Sequence, residues 1–215
     1  MLRVVVVDLG MGNLRSVERA LVRAGADRGI EIEVVRSGKP EDILSADKIV
    51  VPGQGAFRDC SLAITRGIGD ALREAISRGK PYFGICLGLQ VLFDSSDEAP
   101  GCAGLGIFRG HVAKLAAGSG DHAVKIPHMG WNELEMSHPR PGIFQVWPYE
   151  RPYVYFVHSY HAVPDDASLV VATATHGSNR VTAAIFRDNV LAVQFHPEKS
   201  QSVGLELLGA FLTAP

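Results

Sequence analysis

The sequence predicts an α/β fold in three layers: a mostly parallel sheet with helices on both faces and an antiparallel extension. Three observations carry that reading. Short apolar runs rich in β-branched residues, such as RVVVVDLG at 3–10, read as strands covered on both faces. Over the first hundred residues these runs alternate with segments of helical spacing, the rhythm of parallel strands joined by crossover helices. Beyond residue 107 strand follows strand with few helices between.

Each element has its own signal. After the first strand, Leu14, Val17, Leu21 and Ala24 recur at helical spacing, with Gly25 as the expected stop. IEIEVVRS (30–37) alternates and reads as a second strand. Pro40, Glu41 and Asp42 suit the first turn of a short helix. DKIVVPG (47–53) is a third strand ending in a Gly/Pro loop. Ile68, Ala71, Leu72, Ala75 and Ile76 mark a helix closed by Gly79 and Pro81, and YFGI (82–85) is a fourth strand feeding a helix from Leu87 to about Phe93. GHVAKL, GWNELEM, YVYFV, LVVATAT, VTAAIFR and VLAVQF are read as antiparallel or edge strands of the same sheet. AAGSGD (116–121) reads as a loop tip, and a last helix over 202–212 carries Val203, Leu207, Leu208 and Phe211 on one face.

The bulk properties narrow the classes of function. With 215 residues, no long linker and no repeat, the chain is expected to form a single domain, 1–215. A formal charge of −2 leaves no basic footprint for nucleic acid, and no Lys/Arg cluster suits an anionic membrane surface. Cys60, Cys86 and Cys102 are an odd number without a C-x-x-C pair, which argues against disulfides and thiolate zinc sites and fits a reducing compartment. Asp8 ends the N-terminal apolar run after four valines, too early for a signal peptide. A cytoplasmic location is the expectation.

The chemistry concentrates at two places. In GICLG, glycines two before and two after Cys86 allow a sharp strand-to-helix turn, the form of a nucleophile elbow. A thiol there meets the N-terminal end of a helix, which favours thiolate. The plainer alternative is a packed core cysteine. A thiolate for acyl transfer needs a base and an orienting group. QFHPE offers His196 at the end of an apolar strand and Glu198 two residues on, on the same side if the segment is extended. A surface His beside a solvated Glu is the competing reading. Oxyanion donors are expected from the N–H of Leu87 and from PGQG (52–55), which is otherwise simply a turn. His158 and His161 in HSYH are read as cleft wall rather than as metal ligands, since no third ligand accompanies them. His111, His122, His138 and His176 have no metal-ligand spacing, and no metal or cofactor is expected.

GICLGLQ, QFHPE and PGQG together resemble the triad-type glutamine amidotransferases. DLGMGNLRSV (8–17), PGQGAFRDC (52–60), IPHMGWN (126–132), YFVHSYHA (155–162) and QFHPEKS resemble, more closely, the glutaminase subunits of imidazole glycerol phosphate synthases. The resemblance runs from Asp8 to Ser202. It implies Cys86 as nucleophile, His196 as base and later acid, and Glu198 as the group orienting His196. It further implies that L-glutamine is held by Gly53, Gln54, Gly55, Leu87, Gln90, Glu98, Ser159 and Tyr160. It implies a cyclase partner with a (β/α)₈ barrel in a heterodimer, contacted through Asn13, Trp131, Tyr155 and Lys199. Core packing of the two aromatics remains the alternative for that last set. The other functions compatible with these motifs are a glutaminase serving another synthase, a non-catalytic regulatory subunit of the same fold, and a free-standing cysteine hydrolase. Where the family has Val in the oxyanion loop, this chain has Gln54.

Overall fold

The structure is a computed structural model describing residues 1–120 and 123–215. Asp121 and His122 lie outside the described residues, so the end of the expected loop tip and the reading of His122 are not placed.

Four strands open the chain: β1 (Leu2–Val7), β2 (Ile32–Ser37), β3 (Lys48–Gly53) and β4 (Tyr82–Cys86). The later strands are β5 (Ser95–Ser96), β6 (Gly110–Lys114), β7 (His128–Glu133), β8 (Glu135–Met136), β9 (Tyr153–His158), β10 (Tyr160–Pro164), β11 (Val170–His176), β12 (Asn179–Arg187) and β13 (Val190–Val193). The main sheet has the order β2-β1-β3-β4-β13-β12-β11-β8. Its first five strands are parallel and the last three join antiparallel. The expected extension therefore exists, with two differences. VLAVQF supplies β13, which runs parallel to β4. GHVAKL, the first part of GWNELEM, and YVYFV leave the main sheet altogether: β5, β6 and β10 form a three-stranded sheet, and β7 pairs with β9 alone. Strand runs show in sequence; which sheet a strand joins depends on contacts far along the chain.

The valines of β1 show why the first run is uninterrupted. Val5 and Val7 point into one core with Ile43, Phe57, Leu72 and Ile76, whereas Val4 and Val6 point into the other with Leu21, Leu207 and Phe211. The first core lies under α2 (Pro40–Ser45), α3 (Phe57–Ala63) and α4 (Gly69–Ser77), and the second under α1 (Leu14–Asp27) and α6 (Gln201–Thr213). With period-2 alternation, both faces being covered makes every position apolar.

The helix ends correct the sequence reading in three places. α1 is capped by Asn13, whose Oδ1 accepts from the Ser16 N–H at 3.2 Å, and runs past Gly25 to Asp27. The left-handed residue that follows is Gly29, at φ +66°. α3 was not foreseen, and a π-turn at Ile64–Ile68 joins it to α4. The helix after Cys86, α5, is one turn only, Leu87–Gln90. It stops because the carbonyls of Val91 and Leu92 accept from Leu105, Ile107 and Phe108 instead of from a next helical turn.

β4 and α5 meet in a tight corner. Cys86 has φ +55° and ψ −102°, an unfavourable backbone for any residue with a Cβ. Both flanking glycines are required by space. A Cβ on Gly84 meets the Gly88 carbonyl, and a Cβ on Gly88 meets the Val51 carbonyl of β3. We expect Gly88→Ala to destabilise by about 3 kcal/mol, the upper range for overpacking, since β3 cannot recede without breaking its ladder to β4. Urea unfolding checks it; an unchanged midpoint means that the corner has slack.

Candidate active site

β3, β4 and β13 are neighbours, all parallel, so their carboxyl ends lie side by side. Gln54 follows the first, Cys86 ends the second and His196 lies just beyond the third. Gly53 pairs with Cys86 across the β3–β4 ladder, and a Cβ on Gly53 would overlap the Leu87 side chain. Glycine at 53 is thus what lets the PGQG loop lie against the start of α5. Segment 10–13 passes the same loop, with Gly12 (φ +97°) against Gly53 and Gln54.

His196 is 1% exposed, and its Nδ1 lies 2.8 Å from Glu198 Oε1, whose side chain is also 1% exposed. This buried pair is not the solvated surface pair that the motif alone allows. Nor is the segment extended throughout, as the spacing argument assumed. His196 is extended and caps a 3₁₀ turn, Pro197–Lys199, which brings the carboxylate back against the ring. Burial disfavours a charged imidazole, but Cys86 and Glu198 more than offset it and raise His196 to about 9. His196 Nδ1 is taken by Glu198, and among the described residues its buried Nε2 has no hydrogen-bond partner. Cys86 itself is 6% exposed and opens onto the cleft. Cys60 offers a contrast, since burial pushes its thiol up to about 12 and keeps it uncharged.

The cleft has a volume of about 380 Å³. It is lined by Gln54, Gly55, Cys86, Leu87, Gln90, Glu98, Pro127, Val157, His158, Ser159, Tyr160 and Lys199. Of the residues expected to hold a ligand, Gly53 alone is not in this wall; it supports the wall from behind, against Leu87. Glu98 accepts from the Phe57 N–H at 2.9 Å, at the N-terminus of α3, where a carboxylate is favoured.

His158 does line the cleft, but it does not pair with His161. Its Nδ1 lies 2.9 Å from the Tyr160 carbonyl and its Nε2 3.0 Å from His128 Nδ1. His128 in turn stacks on Phe156 and His176, with ring centroids 4.5 Å and 4.2 Å away. Burial and the neighbouring histidines lower His158 to about 3 and His128 to about 4. Both rings are neutral at ordinary pH, and they brace the cleft wall. Among the described residues no group of three or more His, Cys, Asp or Glu side chains is arranged to hold a metal ion.

At the rim, Trp131 and Tyr155 face each other across the β7–β9 ladder with centroids 6.1 Å apart, and the Lys199 ammonium lies 5.5 Å from the Tyr155 ring. Trp131 is 46% exposed, so it is not a core aromatic. Asn13 is exposed and caps α1, next to Gly12. The backbone of Tyr155 is tied to His196: its carbonyl accepts from the His196 N–H at 2.9 Å, and its N–H donates to Ser200 Oγ at 3.0 Å. Ser200 Oγ donates to the His196 carbonyl at 2.7 Å.

Two residues that support the site carry no signal of their own in the sequence. One is Ser200. The other is Gln194, fully buried, which stands two residues before His196 in an otherwise apolar run. The i, i+2 arithmetic that linked His196 to Glu198 reaches Gln194 when applied backwards.

Residues 5–213 match the family model for glutamine amidotransferase class-I. The imidazole glycerol phosphate synthase subunit HisH of Gloeothece citriformis is 47% identical over 210 residues, covering 97% of this chain and 94% of that protein. The subunit of the same name from Geobacter sulfurreducens is 42% identical, covering 98% of each. In fold, the chain is similar to PurLQS of Thermotoga maritima (TM-score 0.74, 21% identity, 98% and 97% covered). It is also similar to the Trypanosoma brucei CTPS glutaminase domain with bound acivicin (TM-score 0.68, 16% identity, 100% and 95% covered). With its cysteine corner, buried His–Glu pair and full-length relatives, the chain belongs to the class-I glutamine amidotransferases, in the family of the HisH subunits of imidazole glycerol phosphate synthase.

Proposed function

We propose that this chain hydrolyses L-glutamine to glutamate and ammonia as the glutaminase subunit of an imidazole glycerol phosphate synthase. The observation that carries the reading is the buried His196–Glu198 pair at the sheet end next to the one where Cys86 lines a cleft. Cys86 attacks the side-chain amide carbon, and the developing oxyanion is met by the Leu87 N–H and a peptide N–H of the Gln54 loop. His196 gives its proton to the leaving nitrogen, and ammonia departs from a glutamyl thioester. His196 then takes a proton from water, which attacks the thioester and releases glutamate and the thiolate. Glu198 holds the imidazole in the orientation that both steps need.

Ammonia passes to a cyclase subunit, a (β/α)₈ barrel in a one-to-one heterodimer. The cyclase makes imidazole glycerol phosphate and aminoimidazole carboxamide ribotide in L-histidine biosynthesis. Three free cysteines suit a cytoplasmic enzyme. Among the described residues no helix is long and apolar enough to cross a membrane. The exposed Trp131 beside Tyr155 and Lys199 supports docking at this rim, because exposed aromatics anchor interfaces and Lys199 also lines the cleft. Reconstitution with the cyclase, following glutamate and product together, tests the reading. The isolated subunit should be nearly inactive if the oxyanion donor of the Gln54 loop is set only when the partner binds, and high glutaminase turnover by the chain alone refutes that gating. Trp131→Ala and Lys199→Ala should keep the fold but weaken association or activation roughly tenfold each, the loss of one interface anchor. Wild-type affinity and activation in both variants move the interface elsewhere.

A further inference from the structure

Gln194 is wholly buried beside the nucleophile, and its amide orientation is fixed by a chain of hydrogen bonds. The chain starts at the Tyr160 carbonyl, which can only accept. Gln90 must therefore turn its Nε2 toward it, at 2.9 Å. The same nitrogen lies 3.1 Å from Gln194 Oε1, which accepts its second proton. With its oxygen committed, Gln194 has only its NH₂ left to present to Cys86 Sγ, 3.4 Å away. The reverse orientation sets nitrogen against nitrogen at Gln90.

We propose that Gln194 is a catalytic residue of this site: its side-chain NH₂ donates to Cys86 Sγ and stabilises the thiolate that attacks the amide. The inference rests on the reading of Cys86 as nucleophile. A buried, fixed donor favours the charged form of its acceptor, and Gln194 is wholly buried one residue beyond the end of β13. Sulfur is the attacking thiolate at the start of the cycle and is released as thiolate once, on thioester breakdown, so the same bond acts at both ends of the cycle. The network also fixes Gln90, which lines the cleft, so thiolate and substrate pocket share one brace.

The test uses the complex with its cyclase and the isolated chain alike. Alkylation of Cys86 by iodoacetamide is followed against pH at the level of the peptide, which separates it from Cys60 and Cys102. The ionisable groups around the thiol are His196 with Glu198 behind it, and Glu98, His158, Tyr160 and Lys199 at the cleft; none is altered. In Gln194→Leu the alkylation profile should move to higher pH by about one unit, a tenfold change in the acid constant. Gln194→Glu keeps the acceptor for Gln90 but turns carboxylate oxygen toward sulfur, and should move it further. A purely structural role lowers stability and leaves the profile in place; an unmoved profile in a folded variant overturns the proposal. Should both variants fail to fold, the ¹⁵N-labelled side-chain amide of Gln194 in the wild-type protein decides. Its resonance must shift as Cys86 ionises and stay still in Cys86→Ser, and a resonance indifferent to Cys86 overturns the proposal equally. Failure of the nucleophile reading is seen separately, as glutamine hydrolysis that survives Cys86→Ala.

Discussion

Cys86→Ala abolishes glutamine hydrolysis, a loss on the order of 10⁴-fold or more, while the complex still makes product from added ammonium salt. The expectation follows from the corner that holds the residue. Cys86 occupies a backbone conformation unfavourable for a side chain, flanked by glycines that have no room for a Cβ. Alanine fits the same backbone, so the corner survives and only the sulfur is lost. Cys60 and Cys102 should accept serine with activity retained, since the first is a buried neutral thiol and neither borders the cleft. Assays of glutamate release and of ammonia-dependent synthesis on the same preparation check this. Loss of both activities makes Cys86 structural instead.

His196→Ala should cost roughly 10²–10⁴-fold, the range for a positioned acid–base group, and Glu198→Gln distinctly less. An amide oxygen can still accept from His196 Nδ1 and hold the ring, but it stabilises the imidazolium poorly. The pH dependence separates the two roles. Burial works against the charged ring, and Cys86 and Glu198 hold it protonated to about 9, so proton donation to the leaving amine persists through neutral pH and fails above about 9. In Glu198→Gln one of the raising influences is gone, and the alkaline limb of the rate profile should move to lower pH. An alkaline limb that does not move, or equal losses in the two variants, means that Glu198 is doing more or less than orienting the ring.

The cysteine corner was legible in the sequence because its constraint is local: two glycines at fixed offsets leave their mark whatever the rest of the chain does. The same holds for β1, whose doubly buried valines need no knowledge of their partners. α5 was misjudged because the residues ending it, Leu105 to Phe108, are distant in sequence and compete for its carbonyls. The His196–Glu198 pairing was foreseen, but through an extended segment that is in fact a 3₁₀ turn. Gln194 was missed because a single polar residue in a strand has no pattern of its own. Its meaning comes from Gln90 and Tyr160, which the chain delivers from elsewhere.

The strand order β3-β4-β13 has a consequence for the life of the chain on and after the ribosome. β4 and β13 lie side by side, yet Cys86 and His196 are separated by more than a hundred residues, including every strand of the antiparallel extension. A nascent chain with its first four strands already folded carries the thiol without its base. β13 must insert between β4 and β12, a closure of high sequence separation and therefore slow. On the proposed mechanism, a chain cut before β13 holds Cys86 without His196 and Glu198 and lacks the acid–base group that glutamine deamination needs. On that mechanism the order of the strands itself delays release of ammonia until synthesis has passed the final strand.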